Sequence, residues 1–195
     1  MLRLEANGPG LSPIKDSIVF LLNFQPERTT LPDAYPYYDL IEGVEELSST
    51  GRPVFVKEHP IQLNFPGDGA LLRGATWRNN EFYAALERRT EGFLPRTREV
   101  DENLATDNLI ATTTGTVAVE MFFRKIPVLV LANNWISSLP NVVRTSTLDA
   151  ARAPLTYEPF ATFEAIFERT VKVVQWADLS QADIAVLHAV VNVRI

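Results

Sequence analysis

Short, continuous apolar runs alternate with segments of helical periodicity along most of the chain. The first run, SIVFLLN at residues 17–23, has the length of one strand and no polar side, as expected of a parallel strand covered on both faces. Apolar residues at helical spacing follow at residues 37–47, and the run PVFVK at 53–57 starts the pattern again. Because strands that alternate with helices indicate βαβ units, we predict an α/β fold with a Rossmann-like parallel sheet flanked by helices.

The same alternation predicts the later elements and the domain organisation. Residues 1–16 contain two glycines and two prolines without a hydrophobic period, so we interpret them as a leader or linker. Residues 17–195 are then expected to form one Rossmann-like domain that ends in helices. Further strands are predicted at residues 92–95, 108–111, 127–131 and 142–145, and further helices at 80–89, 100–105, 116–124, 158–176 and 181–193.

Charge and composition narrow the classes of function. The chain has 18 Lys and Arg residues against 24 Asp and Glu residues and no basic tract, which argues against nucleic-acid binding. No apolar run approaches the roughly 18 residues of a membrane span, and no signal-peptide pattern is present, so we expect a soluble, cytoplasmic protein. With no cysteine and only two histidines, His59 and His188, we expect no zinc–thiolate site, no multi-histidine metal site and no cofactor.

Three loops that leave predicted strands contain most of the candidate binding and catalytic residues. Ligands of open α/β sheets bind beyond the carboxyl ends of the strands. The first strand continues into QPERTT at residues 25–30, the second into EHP at 58–60, and the strand near 108–111 into TTTGT at 112–116. We therefore expect these three loops at one edge of the sheet.

The TTTGT turn leads into a predicted helix, and a helix N-terminus offers unpaired N–H groups and a partial positive charge of about half a unit. The threonine hydroxyls add donors, and Glu120 lies four residues after Thr116 on the same helical face. This arrangement would suit a phosphate at the turn and a sugar hydroxyl at Glu120. The alternative is that Thr116 only caps the helix and Glu120 is solvated. Glycine-rich dinucleotide and P-loop fingerprints are absent from the sequence.

His59 follows the second strand. A lone histidine at such a place is more often packed or hydrogen-bonded than functional. Its neighbours Lys57 and Glu58, however, concentrate charge at the end of a strand, where a histidine could stabilise a departing phosphate.

Other candidates are less specific. Glu27 could bind a ribose or acceptor hydroxyl, pair with Arg28 or cap a turn. Arg78, in RNNEFY at residues 78–83, could bind a ligand, although the aromatic residues beside it are expected to pack. Residues 133–135 (NNW) could form a pocket wall.

Taken in order, these segments resemble the donor-binding half of bacterial capsule and lipopolysaccharide glycosyltransferases, the capsule polysaccharide biosynthesis group that includes the β-Kdo transferases. QPERTTLP at 25–32 resembles that group's QPE loop, VKEHP at 56–60 its HP motif, and RNNEFY its Arg-x-x-x-Phe-Tyr segment. TTTGTVAVE at 112–120 with IPVLVL at 126–131 resembles its Thr-Gly-Thr-Val-x-x-Glu helix and the following strand. The resemblance covers residues 17–148.

The resemblance implies a GT-B enzyme, in which two Rossmann-like domains act without a metal and the C-terminal domain binds the nucleotide sugar. It implies a CMP-linked donor and transfer of Kdo or a related acidic sugar to a capsule or lipopolysaccharide glycan acceptor. Nothing before residue 17 could supply the acceptor domain. A further N-terminal domain or a partner subunit is therefore expected, and such partners could hold the chain at the inner face of the membrane. The alternatives are a sugar-nucleotide epimerase and a non-catalytic remnant that binds glycan or nucleotide.

The resemblance also implies roles for individual residues. His59 would contact the donor phosphate, residues 113–116 would cradle the phosphate or a sugar carboxylate, and Glu120 would hold the nucleotide sugar. The residues predicted to be catalytic are His59 and Glu27, and those predicted to bind substrate are Gln25, Arg28, Lys57, Pro60, Thr113, Thr114, Gly115, Thr116 and Glu120.

Overall fold

Strands and helices alternate along the chain in the computed structural model, which describes residues 14–24, 34–37, 39–60, 62, 78–95, 100, 102–152 and 155–174. The strands are β1 (Ile18–Leu21), β2 (Val54–Lys57), β3 (Gly92–Leu94), β4 (Leu109–Thr112), β5 (Val128–Val130) and β6 (Val142–Val143). The helices are α1 (Leu40–Ser48), α2 (Asn80–Glu87), α3 (Glu102–Asp107), α4 (Val117–Phe123) and α5 (Pro159–Val174), with 3₁₀ segments at Trp135–Ser138 and Thr145–Arg152.

The six strands of the described residues form one sheet in the order β3-β2-β1-β4-β5-β6. Every neighbouring pair is parallel. The register places Leu21 of β1 beside Lys57 of β2 on one side and beside Thr112 of β4 on the other. The predicted α/β class and Rossmann-like parallel sheet are confirmed.

The central strands are buried on both faces, which explains their unbroken apolar sequence. Residues 18–20 of β1 and all residues of β4 and β5 are buried. Helix α1 lays its apolar stripe on the sheet, and the side chain of Asp39 caps this helix by accepting a hydrogen bond from Ile41 N at 2.8 Å. The shared core contains Ile18, Phe20, Leu40, Val44, Leu47, Val56, Leu86, Ala111 and Leu129.

Most predicted boundaries agree with the structure to within three residues, but the last strand is shorter than expected. Strand β6 ends at Val143, and a 3₁₀ segment begins at Thr145, where the sequence analysis continued the strand. The predicted helix at 181–193 and residues 1–13 of the predicted leader at 1–16 lie outside the described residues.

By its internal contacts the chain divides into two compact units, Met1–Pro159 and Phe160–Ile195, and the sheet belongs to the first. Nearly all of α5 belongs to the second. In the part of the chain that the structure describes, no helix is both long enough and apolar enough to cross a membrane.

Candidate functional site at the carboxyl edge of the sheet

The strand order creates a topological switch point between β1 and β4. Strands β2 and β3 lie on one side of β1, and β4, β5 and β6 lie on its other side. Open α/β sheets bind ligands at the carboxyl edge beside such a switch point, so the candidate site is the carboxyl edge between β1 and β4. Asn23 follows β1 at this point, and residues 113–115 follow β4.

The buried amide of Asn23 organises the turn after β4. Its Oδ1 accepts hydrogen bonds from the hydroxyls of Thr112 at 3.3 Å and Thr113 at 3.1 Å, and its Nδ2 donates to Thr114 Oγ1 at 2.5 Å. All four side chains are at most 6% exposed. One amide thus fixes three successive threonines across the switch point.

Gly115 completes this turn because no larger residue fits. Its N–H donates to Thr112 Oγ1 at 3.0 Å, and a Cβ placed on Gly115 would lie 2.6 Å from that same oxygen. Carbon and oxygen do not approach so closely without displacement. The glycine is therefore required by the close packing of the turn against the Thr112 hydroxyl.

The hydroxyl protons distinguish the threonines of this turn. Thr112 and Thr113 direct their protons at Asn23, and Thr113 is fully buried. Thr114 accepts from the amide in this orientation, so its own proton can serve a ligand. Thr116 is exposed at the N-cap position of α4, and its side chain makes no capping hydrogen bond, so simple helix capping does not account for it.

Helix α4 contributes less to anion binding than the sequence analysis assumed. It contains seven residues, Val117–Phe123, so few peptide dipoles align behind its N-terminus. Glu120 is exposed on this helix, and its N–H donates to Thr116 O at 3.1 Å. The case for a ligand at this turn consequently rests on its hydroxyl groups and its place at the switch point.

A buried ion pair occupies the adjoining end of β2. Glu58 Oε1 accepts the backbone N–H of His59 at 2.7 Å, and Oε2 accepts Arg78 Nε at 2.9 Å and the Tyr83 hydroxyl at 2.7 Å. The side chains of Arg78 and Glu58 are 0% and 4% exposed. Burial, and secondarily the charge of Glu58, raises the pKa of Tyr83, so its hydroxyl remains a donor.

Arg78 faces the interior of the site. Its Nη2 donates to the backbone oxygen of Asn23 at 2.8 Å, and its guanidinium lies 4.6 Å from the ring centre of Phe82. Asn79 caps the following helix α2 by accepting from Phe82 N at 2.8 Å, which holds Arg78 at the start of that helix. Arg78 and Tyr83 of the RNNEFY segment are therefore buried, whereas residues 79–81 are exposed, and Arg78 does not present its charge to solvent.

His59 lies beside this ion pair in a turn that follows β2. Its ring centre is 5.7 Å from that of Phe24, and its backbone oxygen accepts the N–H of Gln62 at 3.0 Å. The His59 side chain is partly exposed, Pro60 is exposed, and Lys57 is buried at the last position of β2. The predicted phosphate-contacting histidine is thus at the expected edge of the sheet, two strands from the threonine turn.

Arg144 stabilises the carboxyl end of β5, the strand on the side of β4 away from β1. Its Nη1 donates to the carbonyl oxygens of Val130, Leu131 and Ala132 at 2.7, 3.1 and 2.8 Å, and so satisfies the end of β5. The loop that follows carries the partly exposed Trp135. The NNW segment accordingly lies at the same edge as the threonine turn.

Among the residues predicted to be functional, the structure brings His59, Lys57 and Pro60 after β2 to the same sheet edge as residues 113–116 after β4. Gln25, Glu27 and Arg28 lie outside the described residues, so their predicted roles stay predictions. No role was predicted for Asn23 or Arg144, and Glu58 was predicted only to add charge beside His59. For Asn23 the signal was a lone amide at the end of an apolar run.

The chain gives no significant match to a protein-family model, to a curated protein or to a solved structure. The resemblance to capsule and lipopolysaccharide glycosyltransferases therefore stays a prediction. Within the described residues, no three His, Asp or Glu side chains gather as a metal site would require.

Proposed function

We propose that the chain is the donor-binding domain of a glycosyltransferase that takes its sugar from a nucleotide sugar, with a CMP-linked donor as the first candidate. The observation that carries this proposal is that the His59 turn after β2 and the threonine turn after β4 lie at the same carboxyl edge of a parallel sheet, with the threonine turn at its switch point. Nucleotide-type ligands of open α/β folds bind at such switch points. The ordered resemblance of the same loops to the capsule and lipopolysaccharide transferases supports the choice of ligand.

The chemistry of the two turns suits an anionic donor. The Thr114 and Thr116 hydroxyls offer donors after β4, and the His59 ring lies after β2. Oxygen atoms of a phosphate or of a sugar carboxylate accept such hydrogen bonds strongly. The site needs no basic surface, which agrees with the net charge of −6.

In the proposed reaction, an acceptor hydroxyl displaces the nucleotide at the anomeric carbon. The new bond joins the acceptor oxygen to that carbon, and the bond from the carbon to the phosphate oxygen breaks with its electron pair leaving on the phosphate. His59 stabilises this departing phosphate by hydrogen bonding or protonation. The acceptor site and the base that takes the hydroxyl proton belong to a further domain or subunit.

Calorimetry with CMP, UDP and GDP tests the proposal. We expect one of the three to bind, CMP most tightly, and we expect His59→Ala to weaken that binding about tenfold through loss of a hydrogen bond to a charged group. His188→Ala, which changes the other histidine of the chain, is the matched control and should bind as the wild type does.

Two results would contradict the proposal. If no nucleotide binds even at millimolar concentration, the chain is not a donor-binding domain. If His59→Ala retains wild-type affinity, His59 has no phosphate role. Transfer of radiolabelled sugar, measured for the chain alone and with an acceptor-domain subunit, separates a transferase from a domain that only binds nucleotide.

A further inference from the structure

We infer that Glu58 is a positioning residue for His59, and that its ion pair with Arg78 joins the His59 turn and the threonine turn into one pre-organised binding edge. This inference deepens the proposed function and, in its ligand-binding part, rests on it. Neither Glu58 nor Arg78 is expected to touch the ligand, because both side chains are buried and their polar groups are directed at other groups of the protein.

The two oxygens of the Glu58 carboxylate bind two different segments of the chain. Oε1 holds the His59 backbone N–H at 2.7 Å, which fixes where the histidine leaves the strand. Oε2 holds Arg78 and Tyr83, which belong to the start and first turn of α2. A side chain with a single acceptor oxygen could not satisfy both sides. The carboxylate therefore anchors the His59 turn to helix α2.

Arg78 carries the connection across the next strand. Its Nη2 donates to the backbone oxygen of Asn23 after β1, and the Asn23 amide holds the threonines after β4. A continuous chain of hydrogen bonds thus runs from His59 N–H through Glu58, Arg78 and Asn23 to Thr114. It crosses the ends of β2, β1 and β4 in spatial order.

Stability alone does not explain a charged pair at this place. Replacement of a buried ion pair by apolar residues of similar volume is often neutral or stabilising, whereas removal of one partner is costly. The pair instead provides directional bonds to the His59 turn after β2 and to the backbone of Asn23 after β1, which lies at the switch point. Pre-organised loops bind a ligand more tightly because less motion has to be lost on binding.

The test compares three proteins: wild type, Glu58→Met, and the apolar triple variant Glu58→Met/Arg78→Met/Tyr83→Phe. The single variant leaves the Arg78 charge buried without its carboxylate, so it tests the cost of a broken pair. The triple variant removes both charges of the pair and the Tyr83 hydroxyl together, so it can still be measured if the single variant does not fold. The measurements are urea unfolding, the amide ¹H–¹⁵N signals of His59 and Thr114, and CMP affinity by calorimetry.

We expect the triple variant to be more stable towards urea than Glu58→Met, because it leaves no unpaired buried charge, and to bind CMP about tenfold more weakly than wild type. Its His59 amide proton should move upfield because the charged acceptor is gone, and the distant Thr114 amide should shift with it. If the triple variant binds CMP as tightly as wild type does, or if the two amide signals are unmoved, the inference is wrong.

The two proposals fail in different ways. If wild type does not bind CMP, UDP or GDP, the proposed function fails, while the amide signals still decide whether the ion pair positions both turns. Shifts of both the His59 and the Thr114 amide signals would then support the positioning role. If neither signal shifts, or if only the His59 signal shifts, the positioning role is wrong.

Discussion

Substitution of Gly115 by alanine should destabilise the protein through one identified contact. The added Cβ would lie 2.6 Å from Thr112 Oγ1, a buried oxygen that also accepts the Gly115 N–H and donates to Asn23. Forcing an extra methyl group into such a packed site costs roughly 1–3 kcal/mol. Disturbance of the two hydrogen bonds adds about 1 kcal/mol, so we expect a loss of about 2–4 kcal/mol in the free energy of unfolding.

Thr112→Ala supplies the matched control for this reasoning. Without its hydroxyl the Gly115 N–H loses its acceptor, which should cost roughly 1–2 kcal/mol. The remaining neighbours of an alanine at 115, Thr112 Cβ and Val117 Cγ1, would be at ordinary contact distances of 3.5 Å. The double variant should therefore be about as stable as Thr112→Ala alone.

Wild type, the two single variants and the double variant form a double-mutant cycle, and urea unfolding followed by circular dichroism measures the free energy of unfolding of all four proteins. The reasoning predicts strong coupling between the two positions, because the alanine clashes only while the hydroxyl is present. Additive losses in the double variant would refute the proposed clash, and so would a Gly115→Ala protein as stable as wild type.

Two further predictions concern side-chain hydrogen-bond donors. Burial raises the pKa of Tyr83, and raises that of Tyr157 to about 12, so the folded protein holds protons that the unfolded chain releases above pH about 10. The contribution of these tyrosines to the free energy of unfolding should be fully present below that pH and should decrease as the pH rises towards 12, with a smaller decrease in Tyr83→Phe. If urea titrations give the wild type the same free energy of unfolding at pH 9 and pH 11, this prediction is wrong. Arg144→Met should cost roughly 1–3 kcal/mol in the same assay by leaving the carbonyls of Val130, Leu131 and Ala132 without their donor, and an unchanged midpoint would exclude that role.

Much of the fold could be predicted because its signals are local. The apolar run at 17–23 has no polar face, which predicts a buried parallel strand, and β1 is buried on both sides. The apolar spacing at 40, 41, 44 and 47 predicts the stripe of α1, whose members at 40, 44 and 47 are fully covered. Such patterns depend only on neighbouring residues, so one sequence is enough to read them.

The contacts at the centre of the site could not be predicted, because they depend on strand register and strand order rather than on neighbouring residues. A strand apolar on both faces has no alternation to fix its register, so nothing in the sequence places Leu21 beside Thr112. That register brings Asn23 to the threonines, which are about 90 residues away in the chain. Similarly, the strand order determines that Arg78 reaches both Glu58 and Asn23.

The ends of the sheet limit how this protein can join others. In the part of the chain that the structure describes, the outermost strands are β3 at Gly92–Leu94 and β6 at Val142–Val143. They have three and two residues, so each offers few unpaired backbone groups to an incoming strand. Association by extension of the sheet is accordingly disfavoured, as is the edge-to-edge stacking that leads to aggregates. A partner domain would instead have to recognise side chains on loops or helices, where charge and shape can discriminate between correct and incorrect partners.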